Sequence, residues 1–277
     1  MPRPRGADPL GGFRCRGGAV SEDFVRGATE RLRPVTEFPE VLFERLLADG
    51  NVWPGCTVLD LHCGGSNVAR GLALRGCELT GIDHSAPLLA QAAELDRHAG
   101  VVVKQWRARV ENADFPAASF DAITAGQCWQ ACERPRTLAL ARGWLRHGGR
   151  LLIAQYEWLP LTGNVVQDSE RLILGCNPGW TAHSSSGLHP LWLKEVAEAG
   201  FVDLRTWSQD LEVPCSHASW RKRVRASPAV AMLSDEARVQ QLDVELMTML
   251  ASRHANEPMA VPYRLWVVSA ATPGELA

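Results

Sequence analysis

Two acidic residues and a pair of glycines are spaced as a nucleoside site would need them. Asp60 falls near the end of the apolar run Val58-Leu59-Asp60-Leu61, and His62-Cys63-Gly64-Gly65-Ser66 then turns the chain into a helix-like stretch from Asn67 to Leu74. Asp83 closes a second apolar run, about twenty residues beyond the glycines, the spacing a nucleoside site uses. A helix N-terminus after a tight turn can face a nucleotide-like ligand. A carboxylate at the end of the next strand offers two oxygens to two ribose hydroxyls. Either acid alone serves equally well as a helix cap or a solvated loop residue. The pair around one Gly-Gly turn is what points to nucleoside binding.

These residues need a scaffold, and the flanking sequence supplies alternating strands and helices. Strands are expected over Cys56–Leu61, Glu78–Asp83, Val101–Trp106, Phe120–Ala125 and Arg150–Gln155. Helices are expected over 67–75, Pro87–His98 and Arg136–Leu145, with Gly76 and Gly100 closing the first two. Repeated units of this length imply a parallel sheet covered by helices on both faces, with the ligand crevice along the strand C-termini. After Gln155 the rhythm changes, and prolines, glycines and Ser184-Ser185-Ser186-Gly187 suggest a loop-rich insertion with one short helix near Ser169–Leu174. Helix then returns over Pro190–Ala199, a strand over Phe201–Trp207, helices over Trp220–Arg225 and Glu236–Ala251, and a last strand over Tyr263–Ala270. Upstream, Ser21–Leu47 reads as a helix broken at Pro34.

Composition bounds the reading. The chain has 277 residues, of which 46% are hydrophobic and 22% charged, enough for one sizeable α/β core. A net charge of −2 gives no general attraction to nucleic acid or acidic membrane, and Trp220-Arg221-Lys222-Arg223-Val224-Arg225 is the one basic cluster. Eight cysteines lie scattered with no C-x-x-C pair, so no metal site is expected and reduced thiols in a cytoplasmic protein are. No apolar run reaches the roughly 20 residues of a membrane span. Residues 1–20 carry Arg3, Arg5, Arg14 and Arg16 among glycines and prolines and read as a disordered tail. Ten tryptophans against two tyrosines suggest core packing, with some rings left to shape a flat apolar site.

The turn at 60–66 resembles motif I of the class I S-adenosylmethionine (SAM) dependent methyltransferases, D-x-G-x-G-x-G, with His62 and Ser66 in place of two glycines. SAM carries no phosphates, so its turn needs close backbone approach; the G-x-G-x-x-G and G-x-x-x-x-G-K-[ST] patterns of phosphate-bearing ligands are missing here. Residues 108–128 are similar to the A-E-x-x-P-F-x-x-x-S-F-D stretch of the small-molecule ("type 11") methyltransferases, and Trp144–Leu151 to their L-x-P-G-G-x-L turn, with His147 replacing proline. The resemblance implies a Rossmann-like α/β fold: a mostly parallel seven-stranded sheet with helices on both faces. It implies a single domain over 21–277, with the core about 40–207, lid segments about 156–190 and 210–260, and a final strand about 263–270. It implies SAM as cofactor, held by Asp60, His62, Cys63, Gly64, Asp83 and His84. Val110 and Glu111 would flank the adenine, Ala125 and Gln127 the methionine end, and Arg33 the SAM carboxylate.

Methyl transfer is an in-line displacement at an activated carbon, so alignment and exclusion of water do most of the work. Gln127, Trp129 and Gln130 are the expected substrate contacts. His183, His189, His217, Glu157 and Tyr156 are candidate proton acceptors, none singled out by its sequence context. A small-molecule acceptor is expected, with no nucleic acid or membrane partner, on a monomer or homodimer. His62 leaves three uses of the fold open, because a side chain there needs a backbone conformation that favours glycine. They are a methyltransferase, a non-catalytic subunit or regulator of the same fold, and a SAM-binding enzyme of non-methyl chemistry.

Overall fold

In a computed structural model of the chain, residues 37–65, 67–231 and 233–274 are described. The tail, most of the first helix expected from Ser21, Arg33 and Ser66 lie outside the described residues. Seven strands form one sheet: β1 (Thr57–Leu61), β2 (Glu78–Asp83), β3 (Val103–Arg107), β4 (Phe120–Gly126), β5 (Leu145–Trp158), β6 (Val202–Cys215) and β7 (Met259–Ala271). Their spatial order is β3-β2-β1-β4-β5-β7-β6. Strands β1 to β5 run parallel, and β7 is antiparallel to both its neighbours. The helices are α1 (Glu40–Ala48), α2 (Asn67–Ala73), α3 (Ala86–His98), α4 (Arg134–Trp144), α5 (Val165–Cys176), α6 (Pro190–Glu198), α7 (His217–Ala226), α8 (Pro228–Ala231) and α9 (Glu236–Arg253).

Side chains alternate between the two faces of each strand, so the central strands feed two cores. Val58, Ala122, Leu152 and Val267 join one cluster with residues of α1, α2, α5, α7 and α9. Leu59, Ile123, Ile153 and Val268 join the other with residues of α4 and α6. A sheet covered on both faces needs apolar residues on both faces, which is why β1 and β4 read as nearly continuous apolar runs.

The structure departs from the expected elements where charge patterns hide them. Strand β6 runs on from Trp207 to Cys215 and β7 begins at Met259, ahead of Tyr263, the two pairing from Val202↔Ala271 to Cys215↔Met259. Strand β6 is the edge of the sheet, so its far half can carry exposed Ser208, Gln209 and Glu212, and Pro214 has no ladder partner to disappoint on its outer side. Strand β5 also outruns its expected end at Gln155, reaching Trp158 opposite Tyr263. The insertion after β5 is more helical than its prolines and glycines suggest. Helix α5 has 12 residues, and Asn164 caps it by accepting the Gln167 N–H at 2.9 Å. Its buried Asp168 is held by His254 Nε2 at 2.9 Å and by Arg171 and Arg253, each at 3.1 Å.

Candidate active site

Strand order reverses between β1 and β4, and in such sheets the crevice outside the strand C-termini is the place for a ligand. A cleft of about 920 Å³ opens there. One wall is the β1–α2 turn with Asp60, His62, Cys63, Gly64 and Gly65. The floor is the end of β4, Gly126 to Cys128 with Gln130, and the other wall comes from Tyr156, Glu157, Trp158 and Tyr263 of the long strands. Residues 180–183, Ser185, His189 and Trp192 on one side and Arg223 with residues 226–229 on the other complete it.

The turn is held from behind by Asp83. Its carboxylate accepts the Gly64 N–H at 3.1 Å and the Ser85 N–H at 2.8 Å, so the second acid braces the loop that the first acid introduces. His62 has φ +47 and Gly64 φ +49, both in the left-handed region. For a residue with a Cβ this costs roughly 1–2 kcal/mol. Gln127, at the end of β4, has φ +53 and bears a similar cost. Strained backbone at two facing positions of one cleft is the pattern expected of a functional site. Gly126 lies between them for steric reasons: a Cβ there would stand 2.5 Å from Val68 Cγ2 and 3.0 Å from Phe38 Cε2. Over Gly65, by contrast, a Cβ would meet nothing within 4 Å, so the turn presents an open backbone face.

The side chain of His62 lies near Cys132, Asp83 and Glu111. It interacts with Cys132, which raises the imidazole pKa, and Asp83 and Glu111 raise it further. Its Nε2 is buried without a hydrogen-bond partner. Cys132 in turn is lowered to about 6, first by Cys128 and then by His62. Cys128 donates to the Leu61 carbonyl at 3.3 Å, which ties β4 to the start of the turn.

The expected cofactor residues therefore divide. Asp60, His62, Cys63, Gly64 and Gln127 line the cleft; Asp83, His84, Val110, Glu111 and Ala125 do not. Val110 and Ala125 are buried, Glu111 is half-buried and holds Arg136 through its carbonyl, and His84 is an exposed neighbour of Asp83. Among the expected substrate contacts, Gln127 and Gln130 line the cleft, and Trp129 does not. Trp129 is fully buried in the core shared with α4 and α6, because its short 3₁₀ turn points the ring behind β4. Gln127 donates to the Tyr156 carbonyl at 2.7 Å, and Gln155 donates to Gln130 at 2.8 Å, which joins the ends of β4 and β5.

The candidate proton acceptors are also sorted by the fold. His189 Nε2 lies 3.2 Å from Glu157 Oε1, and the Ser185 hydroxyl donates to Glu157 Oε2 at 3.0 Å. The His189 ring stacks on Trp192 at 4.1 Å and 8°. His183 lines the cleft but is exposed, edge-on to Trp180. His217 lies off the cleft, where its Nε2 bonds the His254 carbonyl at 2.9 Å. Trp158, Trp180 and Trp192 stand in no motif, and the surplus of tryptophan was their one sequence signal; Arg223 was marked only by the basic cluster on its helix.

Asp60 is buried, and burial pushes its carboxyl up to about 7, against the Thr124 hydroxyl that donates to it at 2.6 Å. A carboxyl raised above its ordinary value of 3.8 contributes most to stability below about pH 4 and loses that contribution as pH rises to about 7. Asp60→Asn keeps the acceptor for Thr124 and removes the buried charge. Its Tm should exceed the wild type's at pH 8 by on the order of 5 °C, with the gap closing toward pH 4. Thermal melts across that range check this, and equal Tm values at pH 8 would mean that the charge is solvated.

A methyltransferase domain model matches residues 59–153. The ubiquinone biosynthesis O-methyltransferase of Xanthomonas campestris pv. campestris (strain B100) is 30% identical over 181 residues, covering 63% of this chain and 72% of the relative. That of Chromobacterium violaceum is 35% identical over 157 residues, covering 56% and 67%. Among solved structures, a putative type II methyltransferase from Anaeromyxobacter dehalogenans superposes with a TM-score of 0.63 at 20% identity, covering 86% of this chain and 97% of that one. The strand order, the braced glycine turn and these matches agree, and the chain belongs to the class I SAM-dependent methyltransferases.

Proposed function

We propose that this methyltransferase acts on a hydroxyl oxygen of a small aromatic acceptor, with His189, oriented by Glu157, taking the hydroxyl proton. The observation that carries this reading is the 3.2 Å contact between His189 and Glu157 in the cleft that also holds the glycine turn. A carboxylate bonded to one ring nitrogen sets the tautomer, leaving the other nitrogen with its lone pair. With Glu157 ionised, Nε2 carries the proton and Nδ1 is the base. An oxygen nucleophile benefits from such a base more than a soft sulfur or carbon does. The relatives named as O-methyltransferases support the same acceptor atom.

The donor set suits SAM. The open backbone face over Gly65 allows close approach, Asp60 offers a carboxylate toward an ammonium group, and Asp83 keeps lone pairs beyond the two amides it accepts. Bound SAM supplies a methyl group on a sulfonium. In our reading Asp60, Cys63, Gly64, Ala125 and Gln127 hold its methionine end, and Asp83, His84, Val110 and Glu111 its nucleoside. The His62 ring stands at the nucleoside end and must swing aside or stack on the base; such a move gives up its contact with Cys132, while its buried Nε2 has no partner to lose. Phe38, Tyr156, Trp158, Trp180 and Trp192 line the cleft, and their rings keep water from the reacting atoms. The segments carrying Trp180 and Arg223 act as the lid. Six of the seven described cysteines are buried thiols, which fits a cytoplasmic enzyme.

Calorimetric titration with S-adenosylhomocysteine should give saturable binding to the wild type and tighter binding to His62→Gly. Absence of heat with both proteins would remove the methyltransferase reading. Heat with His62→Gly alone would identify the ring as a plug and favour the non-catalytic use of the fold.

A further inference from the structure

Helix α7 carries the chain's one basic cluster, and the fold sorts its charges by helical face. Arg221 Nε donates to Asp243 Oδ1 at 3.0 Å, and Arg225 lies 3.4 Å from Asp243 Oδ2. Residues four apart share a face, so one carboxylate of α9 satisfies both. Lys222 is exposed. Arg223 projects from the other side and lines the cleft. Its guanidinium lies 5.7 Å over the Tyr263 ring and donates to the Tyr263 hydroxyl at 3.0 Å. Among the described residues it has no carboxylate within 4.0 Å, whereas Arg70, which also lines the cleft, is bonded to the Gly65 carbonyl and Asp96.

A guanidinium has five N–H donors, and one bond to a phenol leaves most of them directed at whatever fills the cleft. The phenols around it do not offset its charge. Tyr263 and Tyr156 are both buried, and burial pushes the Tyr156 phenol up to about 12. An arginine on an aromatic wall, with no carboxylate partner among the described residues, is the arrangement that binds a planar anion in two-pronged fashion. The aromatic rings beside it, Tyr156 and Trp158, suit a flat ring attached to that anion.

We propose that Arg223 is the carboxylate-recognition residue of the acceptor site, so that the substrate is an aromatic acid bearing the hydroxyl that is methylated. This rests on the hydroxyl-acceptor reading above and adds the charged group at the far end of the same substrate. A carboxylate could also come from the methionine portion of SAM. Arg223 reaches from α7 to Tyr263, which pairs with Trp158 on the aromatic wall, whereas Arg70 is the guanidinium bonded at the glycine turn, and this assigns Arg223 to the acceptor.

The test uses two acids with their amides, 3,4-dihydroxybenzoate and 3-(3,4-dihydroxyphenyl)propanoate, titrated into the full chain saturated with S-adenosylhomocysteine. Trp158, Trp180 and Trp192 in the cleft provide a fluorescence readout, with calorimetry as the check. At least one acid should bind about tenfold or more tightly than its amide, as expected of a charge-assisted pair. Arg223→Gln should bring acid and amide within about twofold, and Arg223→Lys should keep part of the preference. The affinity for S-adenosylhomocysteine should be unchanged in both variants. The proposal is overturned if neither acid binds, if acid and amide bind wild type equally, or if Arg223→Gln keeps the preference. Weaker binding of S-adenosylhomocysteine to Arg223→Gln would also overturn it, because the residue would then serve the donor. If S-adenosylhomocysteine itself fails to bind wild type, the donor reading falls, and the same acid and amide titrations on the free protein still decide the role of Arg223.

Discussion

Replacing His189 with alanine should lower kcat by about two to four orders of magnitude, the range that a positioned general base contributes. The affinity for S-adenosylhomocysteine should stay within about twofold, because His189 lies across the cleft from the glycine turn. Added imidazole should restore part of the lost rate to the variant, since it can take the place of the missing base. Glu157→Gln should cost less, since an amide still accepts the Nε2 proton at 3.2 Å but no longer stabilises the imidazolium. The ring's stacking on Trp192 at 4.1 Å is worth roughly 0.5–1.5 kcal/mol, so some loss of Tm will accompany His189→Ala. Rescue separates the two effects: if the role is structural alone, added imidazole leaves the rate low. An unchanged kcat in His189→Ala would leave the contact with Glu157 as packing and return the choice of base to His183.

The largest effect on stability is expected at Trp220. Its side chain is fully buried, packs at 5.1 Å against Trp158 and donates its Nε1–H to the Ser169 hydroxyl at 2.9 Å. It thus fastens α7 to α5 and backs the aromatic wall of the cleft. Trp220→Ala should cost about 3–5 kcal/mol, as buried aromatic truncations do, and lower Tm by on the order of 10 °C. Ser169 keeps its own bond to the Val165 carbonyl at 2.7 Å, so the loss is chiefly cavity and contact area, with no orphaned hydroxyl. Trp220→Phe should recover more than half of it. Denaturant unfolding with a wild-type midpoint for Trp220→Ala would mean that the helices hold together without this contact.

Much of the sheet was legible because burial on both faces imposes apolar runs, and the glycine, proline and acid signals between them are local. Asp60, Gly64 and the Glu78–Asp83 strand were readable on those grounds. The far halves of β6 and β7 were not, because an edge strand can be polar, and a polar alternating run resembles a loop. Trp129 shows the converse: its neighbours Gln127 and Gln130 face the cleft, and no local pattern says that a short 3₁₀ turn sends the ring between them into the core.

The sequence by itself determined the class of the protein and the strand, turn and acid pattern at the mouth of the cleft. Those features are local: a strand, a turn and an acid at fixed spacing work in any member of the fold. The left-handed backbone that His62 would need could also be inferred from its place in the turn, and φ +47 agrees. Only the tertiary structure decided which histidine meets a carboxylate in the cleft, that Arg223 of the basic cluster turns to Tyr263, and that the His62 ring leans on Cys132. Glu157 and His189 are 32 residues apart, and Arg223 meets Tyr263 across 40. Such contacts arise from how long antiparallel strands and their crossing helices fold back over the sheet, and that geometry leaves no local trace in the chain.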